Sequence, residues 1–439
     1  METNRGALLS IVVASLLTGL AVGVLGSLFR AVLELANQWR GILIQMAHAT
    51  PLQGFAATAV VVVAAAMIAR WLVARFAPIA AGSGVQHVEA VMRGEAKPAG
   101  LAVIPVKFIG GLLAIGAGLP LGREGPTVQM GATIGGLVAS RVVGDRESRP
   151  AIAAAGAGAG LAVAFNAPVA GAVFVFEELT RAFTERQMLA ALAAAAVAVA
   201  IMRVGLGDAQ MFLAGASVDQ PLAELPFHFA LGAAFGLLGA FYAALTTAFL
   251  DAVEWMRVIP SVVRAGAIGL VIAAAGWFSP DLIGGGEALA QSILLAPPAV
   301  ETLLLILGVR LALGPLAYAA GVPGGVFAPL LAIGAAFGAL IAAVAGPVWP
   351  GGAPSSLICG VVGMAAMFSA VVRAPLTGIV MTIEMTGRSD CALPMLTACM
   401  AAILFASLAG ARPVYDVLRE RMLAQQRRTP RGLQAHGEK

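Results

Sequence analysis

Residues 7–29 contain no charged side chain, and a run this long and apolar decides the solvent before it decides the fold. About 20 apolar residues are enough to cross the hydrocarbon core of a bilayer. Shorter charge-free runs follow at 55–69 and 188–202, and the segments 227–250 and 302–309 are strongly apolar. Only 11% of the 439 residues are charged, where a soluble protein carries about 25%. The mean hydropathy of +0.92 agrees. The expected class is an all-α integral membrane protein. The first run has an Arg before it and no small-residue cleavage pattern after it, so it reads as a retained helix rather than a signal peptide.

The 53 glycines and 24 prolines point to many short, tilted or broken helices. A broken helix inside a membrane is tolerated only where protein or a water-filled cavity covers the freed backbone groups. That requirement already suggests a permeation pathway.

The chain repeats itself. Gly125-Pro126 is followed by glycines at 131 and 135, and Ala328-Pro329 by glycines at 334 and 338, with the same offsets from the proline. The run from Asn166 to Gly171, Asn-Ala-Pro-Val-Ala-Gly, leads to Glu177. The run from Arg373 to Gly378, Arg-Ala-Pro-Leu-Thr-Gly, leads to Glu384. The first pair of motifs lies 203 residues apart and the second 207. Many secondary transporters are built from two such halves, with the substrate site where broken helices meet. Residues 1–415 therefore read as one membrane domain. Its halves are about 1–206 and 221–415, with a polar connection at 207–220. The pattern leaves open whether the halves are parallel or inverted.

Basic residues gather at the end of the chain: Arg412, Arg419, Arg421, Arg427, Arg428, Arg431 and Lys439. The positive-inside bias places residues 416–439 on the cytoplasmic side as a tail, too short for an appended regulatory domain. Asp416, Glu420 and Glu438 interrupt the basic run, which argues against a nucleic-acid arm. Cys359, Cys391 and Cys399 have no metal-ligand spacing and read as packing residues. No metal site and no cofactor is expected.

Three glycine-rich segments carry chemistry: Gly82-Ser83-Gly84-Val85-Gln86, Gly122-Arg123-Glu124-Gly125-Pro126 and Gly324-Gly325-Val326-Phe327-Ala328-Pro329. Each has a Ser able to cap a helix or a Pro suited to a first turn. A helix start presents unpaired N–H groups and the positive end of the helix dipole, and glycine lets an anion approach the backbone closely. Several such starts aimed at one point would hold an anion without a full positive charge, which allows it to leave again. One segment alone would be an ordinary loop; three in one membrane chain favour an anion site.

Ionisable residues at membrane depth usually mark a pathway or a proton relay. Glu124 is such a residue, unless it is an interfacial partner of Arg123. An ionised carboxylate would occupy an anion site and a protonated one would vacate it. Glu177 and Glu178 read individually as helix-end residues paired with Arg181, and Glu384 as a similar residue with a structural role. Lys107 and Arg310 are candidate partners for buried carboxylates. Tyr415 reads as an interfacial anchor or as a hydroxyl donor to an anion, and His87 as a polar helix residue.

These motifs resemble the CLC family of chloride channels and chloride/proton antiporters, from about Gly82 to Tyr415, and are most similar to its short bacterial antiporters. The resemblance implies two inverted halves and a homodimer with a separate anion pathway in each subunit. It implies that the Ser83 and Tyr415 hydroxyls and the Val326 and Phe327 N–H groups hold a central chloride. Glu124 would be the external gate and proton carrier, with Gly122, Arg123 and Gly125 supporting it. Glu178 would be the internal proton acceptor, and Lys107 would tune the local field. The glutamate at 178 favours exchange over passive conduction, the alternative being a voltage- or pH-gated chloride channel. The protein would lie in the cell inner membrane with both termini cytoplasmic, and its partners would be chloride, protons and lipid. The family usually continues Gly-Ser-Gly with an apolar residue and proline, whereas here Val85 is followed by Gln86. An intramembrane enzyme finds no support, because no HExxH zinc motif is present and the histidines at 48, 87, 228 and 436 adjoin no nucleophile pattern.

Overall fold

The computed structural model describes residues 2–217, 220–350 and 352–428, with side chains over 8–427 of these. Helices α1 (Glu2–Ala47), α2 (Pro51–Phe76), α3 (Val85–Met92), α4 (Val103–Gly116), α5 (Glu124–Val142), α6 (Arg149–Phe165), α7 (Pro168–Phe174) and α8 (Glu185–Leu206) form the first half. The second half repeats them in order. It comprises α9 (Leu225–Trp255), α10 (Ser261–Phe278), α11 (Glu287–Leu295), α12 (Val300–Ala319), α13 (Phe327–Ala345), α14 (Ser356–Val372), α15 (Pro375–Thr386) and α16 (Ala392–Leu408). One more helix, α17 (Val414–Arg428), closes the chain.

Among the described residues, eight helical stretches are long and apolar enough to span a membrane. Others, such as α3, α7 and α11, are too short to cross. On α1 the exposed Leu16, Leu20, Val24 and Leu28 recur every four residues. They form one outward apolar stripe, which suits lipid rather than water. Helices α5, α6, α13 and α14 are largely buried at the centre.

The breaks follow from local chemistry. Asn166 and Arg373 end α6 and α14 in the left-handed region, at φ 54° and 72°. The next residue, Ala167 or Ala374, precedes a proline and is pushed out of the helical region. That proline then opens α7 or α15, where its missing N–H costs nothing. Thus one three-residue pattern stops a helix, turns the chain and starts another, once in each half.

The halves are related by an approximate two-fold. Gly122 and Gly325, equivalent in the repeat, exchange N–H···O bonds of 2.8 and 2.7 Å in an antiparallel bridge. Equivalent segments therefore run in opposite directions, and the halves are inverted. A second signature is reciprocal. The Glu177 carboxylate accepts the N–H groups of Leu376 and Thr377, at 2.9 and 2.7 Å. The Glu384 carboxylate accepts those of Val169 and Ala170, at 3.1 and 2.8 Å. Each glutamate thus sits at the start of the other half's seventh helix, a structural role expected for Glu384 but not suggested by the surroundings of Glu177 in the sequence.

Residues 416–428, read from sequence as the start of a tail, belong to a helix that packs on α3. Arg419 of α17 is 6% exposed and donates to Glu89 at 2.5 Å. Arg421 pairs with Asp251 and Glu254 of α9. Arg431, His436, Glu438 and Lys439 lie outside the described residues.

Candidate anion site

Four segments meet at the centre of the protein. The loop before α3 is built by Gly82 and Gly84, both at positive φ (66° and 86°), with Ser83 fully buried between them. Lys107, buried on α4, donates to the carbonyls of Gly82 and Ser83 at 2.7 and 2.9 Å. In a trans peptide the N–H points opposite to its carbonyl. By holding those two carbonyls, Lys107 turns the N–H groups of Ser83 and Gly84 the other way. The lysine charge acts through two oriented peptides instead of contacting an anion.

Arg310 does the same in the second half. It lies 203 residues after Lys107 and donates to the carbonyls of Gly284 and Gly285 at 2.8 and 2.7 Å. Neither cation neutralises a carboxylate, which corrects the expected pairing. A carbonyl-lined loop already supplies the acceptors that a buried cation needs.

Glu124 is the first residue of α5 and is fully buried. Its Oε1 accepts the Phe327 N–H at 2.8 Å. Its Oε2 has no hydrogen-bond partner. A Cβ on Gly122 or Gly325 would collide with this carboxylate, so the paired glycines on the two-fold axis form its seat. Arg123 turns elsewhere: it donates to Ala164 O at 3.0 Å and reaches Glu34 at 3.4 Å and Glu287 at 3.8 Å. The interfacial Arg123–Glu124 pair is replaced by a network that ties α5 to α1 and α11.

Phe327 opens α13 directly after the buried Val326, and its ring is wedged edge-on among Phe368, Phe174 and Tyr415, at centroid distances of 4.6, 5.9 and 5.7 Å. Tyr415 is fully buried, not at an interface, and its hydroxyl lies 3.4 Å from Ser83 Oγ. Gly125 lets the start of α5 reach the loop: a Cβ there would stand 2.8 Å from Ser83 Cα, O and Oγ. Ser83, Glu124, Phe327 and Tyr415 therefore surround one place, each delivered by a different segment.

Glu178 follows α7 in a π-helical turn, Val175–Leu179, that rotates it inward. It is 2% exposed and its Oε1 has no hydrogen-bond partner. Sequence reasoning missed Glu89, which is fully buried on α3 and bonded by Arg93 and Arg419, each at 2.5 Å. Its i,i+4 spacing from Arg93 was the available signal. Tyr318 was missed too: its hydroxyl accepts the Ser83 N–H at 3.4 Å.

Residues 65–407 match the sequence profile described as voltage-gated chloride channel. The H(+)/Cl(-) exchange transporter ClcA of Vibrio cholerae serotype O1 is 35% identical over 429 residues, 95% of this chain and 91% of the relative. ClcA of Salmonella paratyphi A is 34% identical over 427 residues, 95% and 90% of the two chains. The crystal structure of a slow cyanobacterial Cl-/H+ antiporter superposes with a TM-score of 0.91 at 33% identity, covering 95% of this chain and 99% of that one. With two inverted halves around a glutamate on a helix N-terminus, and a family profile spanning most of its length, the chain belongs to the voltage-gated chloride channel (CLC) family.

Proposed function

We propose that this multi-pass membrane protein exchanges chloride for protons, with Glu124 as the gate that competes with the anion. One observation carries the reading: the Glu124 carboxylate accepts the Phe327 N–H at 2.8 Å, a donor at a helix start that would otherwise face an anion. Ionised, the side chain fills an anion's place. Protonated, it loses the charge that holds it there, and the anion takes over the donor. Each exchange of occupant thereby carries a proton one way and an anion the other.

Ser83 and Tyr415 offer hydroxyls and Val326 and Phe327 offer backbone N–H groups to the anion, while Lys107 orients the Ser83 loop. Glu178 takes protons from the side that bears α17. Its burial without a hydrogen-bond partner for Oε1 supports that role. The similar relatives named as H(+)/Cl(-) exchange transporters and as a Cl-/H+ antiporter support exchange over passive conduction. The same reading places residues 1–415 in the transport unit and makes the protein a homodimer in the cell inner membrane, with both termini cytoplasmic.

Reconstitution in liposomes tests it. A chloride gradient should drive protons against their own gradient. A zero-current potential that follows chloride alone, with no response to an imposed proton gradient, overturns exchange and leaves a channel.

A further inference from the structure

Gln86 stands where the chain departs from its resemblance, and its side chain is not idle. It lies in the first turn of α3 and is 8% exposed. Its Oε1 accepts the Gly84 N–H at 3.1 Å. The Tyr318 hydroxyl accepts the neighbouring Ser83 N–H at 3.4 Å. The two N–H groups that Lys107 turns outward are therefore met by two neutral side chains.

We propose that Gln86, with Tyr318, competes with the transported anion for the backbone donors of the Ser83 loop, and so sets anion affinity on the α3 side as Glu124 does on the α13 side. The inference rests on the transport reading above.

Three observations support it. Gln86 and Tyr318, the two acceptors, line one cavity of about 240 Å³ together with Gly82, so the competing side chains border open space next to the Ser83 loop. The walls of that cavity also carry Arg70 and Arg264, while Arg421 there is paired with Glu254 and with Asp251. A cavity with this excess of positive charge concentrates small anions. The competing groups are an amide and a hydroxyl, which offer acceptor oxygens without charge. They can yield to chloride, whereas a carboxylate in the same place would repel it. A plainer reading is that Gln86 only caps α3, since a first-turn side chain often reaches back to the N-cap N–H. The two readings separate in a binding measurement. A cap contributes stability alone, while a competitor lowers affinity as it stabilises.

The test is calorimetric titration of the full-length protein in detergent with chloride, and with nitrate for preference. Gln86→Ala frees one donor and should bind chloride roughly three- to tenfold more tightly, the factor that a net hydrogen bond represents. Gln86→Glu should bind it at least about tenfold more weakly at neutral pH, because a charged acceptor holds the donor more strongly. If Gln86→Ala keeps wild-type chloride affinity and merely melts earlier, Gln86 is a cap and the proposal fails. Should that variant not fold, Tyr318→Phe releases the neighbouring Ser83 donor from its acceptor; unchanged affinity there overturns the proposal equally. A wild-type protein that neither binds nor moves chloride removes the transport reading itself. Wild-type binding that is indifferent to both substitutions removes only this inference.

Discussion

At the scale of single residues, the proposed site would work by competition for a few backbone N–H groups rather than by fixed charge. Glu124 makes the point most sharply, because its Oε1 takes the Phe327 N–H while its Oε2 stays unpaired. A hydrogen bond to a charged acceptor is worth about 1.5–3 kcal/mol. Removing the carboxylate should therefore raise chloride affinity by roughly ten- to a hundredfold on the same scale. Glu124→Ala is expected to bind chloride more tightly, carry no protons and still pass anions. Chloride titration and paired ion fluxes in liposomes check all three, and persistent proton flux would refute the gate. Glu178 makes no such contact with an anion donor, so Glu178→Ala should lose proton coupling without that gain in affinity. Wild-type proton pumping by Glu178→Ala would remove its assignment.

At the scale of elements, both halves place their fifth and sixth helices in backbone contact. A Cβ on Gly131 would strike the Gly156 carbonyl, and one on Gly156 would strike the Gly131 carbonyl. Gly334 and Gly363 repeat the arrangement between α13 and α14. Without Cβ atoms the helices approach closely, the packing that membrane helices rely on where no hydrophobic drive separates them from lipid. Gly156→Ala and Gly363→Ala should each cost about 1–3 kcal/mol by overpacking, read as a lower melting temperature in detergent. Gly41→Ala and Gly308→Ala, where a Cβ would meet nothing within 4 Å, should be neutral or stabilising. Equal melting for both sets would refute the tight packing. Much of this was legible in the sequence. The proline–glycine offsets revealed the repeat because broken helices need those residues at fixed points. Other features were hidden because they depend on a partner distant in sequence. Nothing around Lys107 or Arg310 says that a carbonyl loop, not a carboxylate, awaits it. Nothing around Glu177 says that it reaches α15. The π-helical turn that rotates Glu178 inward has no composition signal of its own.

At the scale of the whole molecule, the two-fold does more than duplicate a fold; it places a brace beside Glu178, the proposed proton acceptor. Glu384 of the second half holds the start of α7 through Val169 and Ala170, and α7 runs directly into the turn that carries Glu178. Glu177 holds the start of α15 in return, with an added bond from the Thr377 hydroxyl at 2.8 Å. Each carboxylate satisfies two N–H groups that a helix start leaves unpaired. Glu384→Ala should cost about 1–3 kcal/mol for the donors left without an acceptor. Glu177→Ala should cost at least as much. Both braces act on the single contact between α7 and α15, so their losses should not add. The double variant should differ from the sum by about 0.5 kcal/mol or more, as coupled sites do. Equilibrium unfolding of the four proteins in mixed detergent measures that difference. Transport supplies a second reading of the same device. Glu384 touches neither the Ser83 loop nor the Phe327 N–H, so Glu384→Ala should bind chloride normally. Loosening α7 should nonetheless displace Glu178 and lower the number of protons moved per chloride. Strict additivity with wild-type coupling would mean that the repeat joins the halves without linking them. A fall in coupling at unchanged chloride affinity would show that a carboxylate in one half positions the proton acceptor of the other.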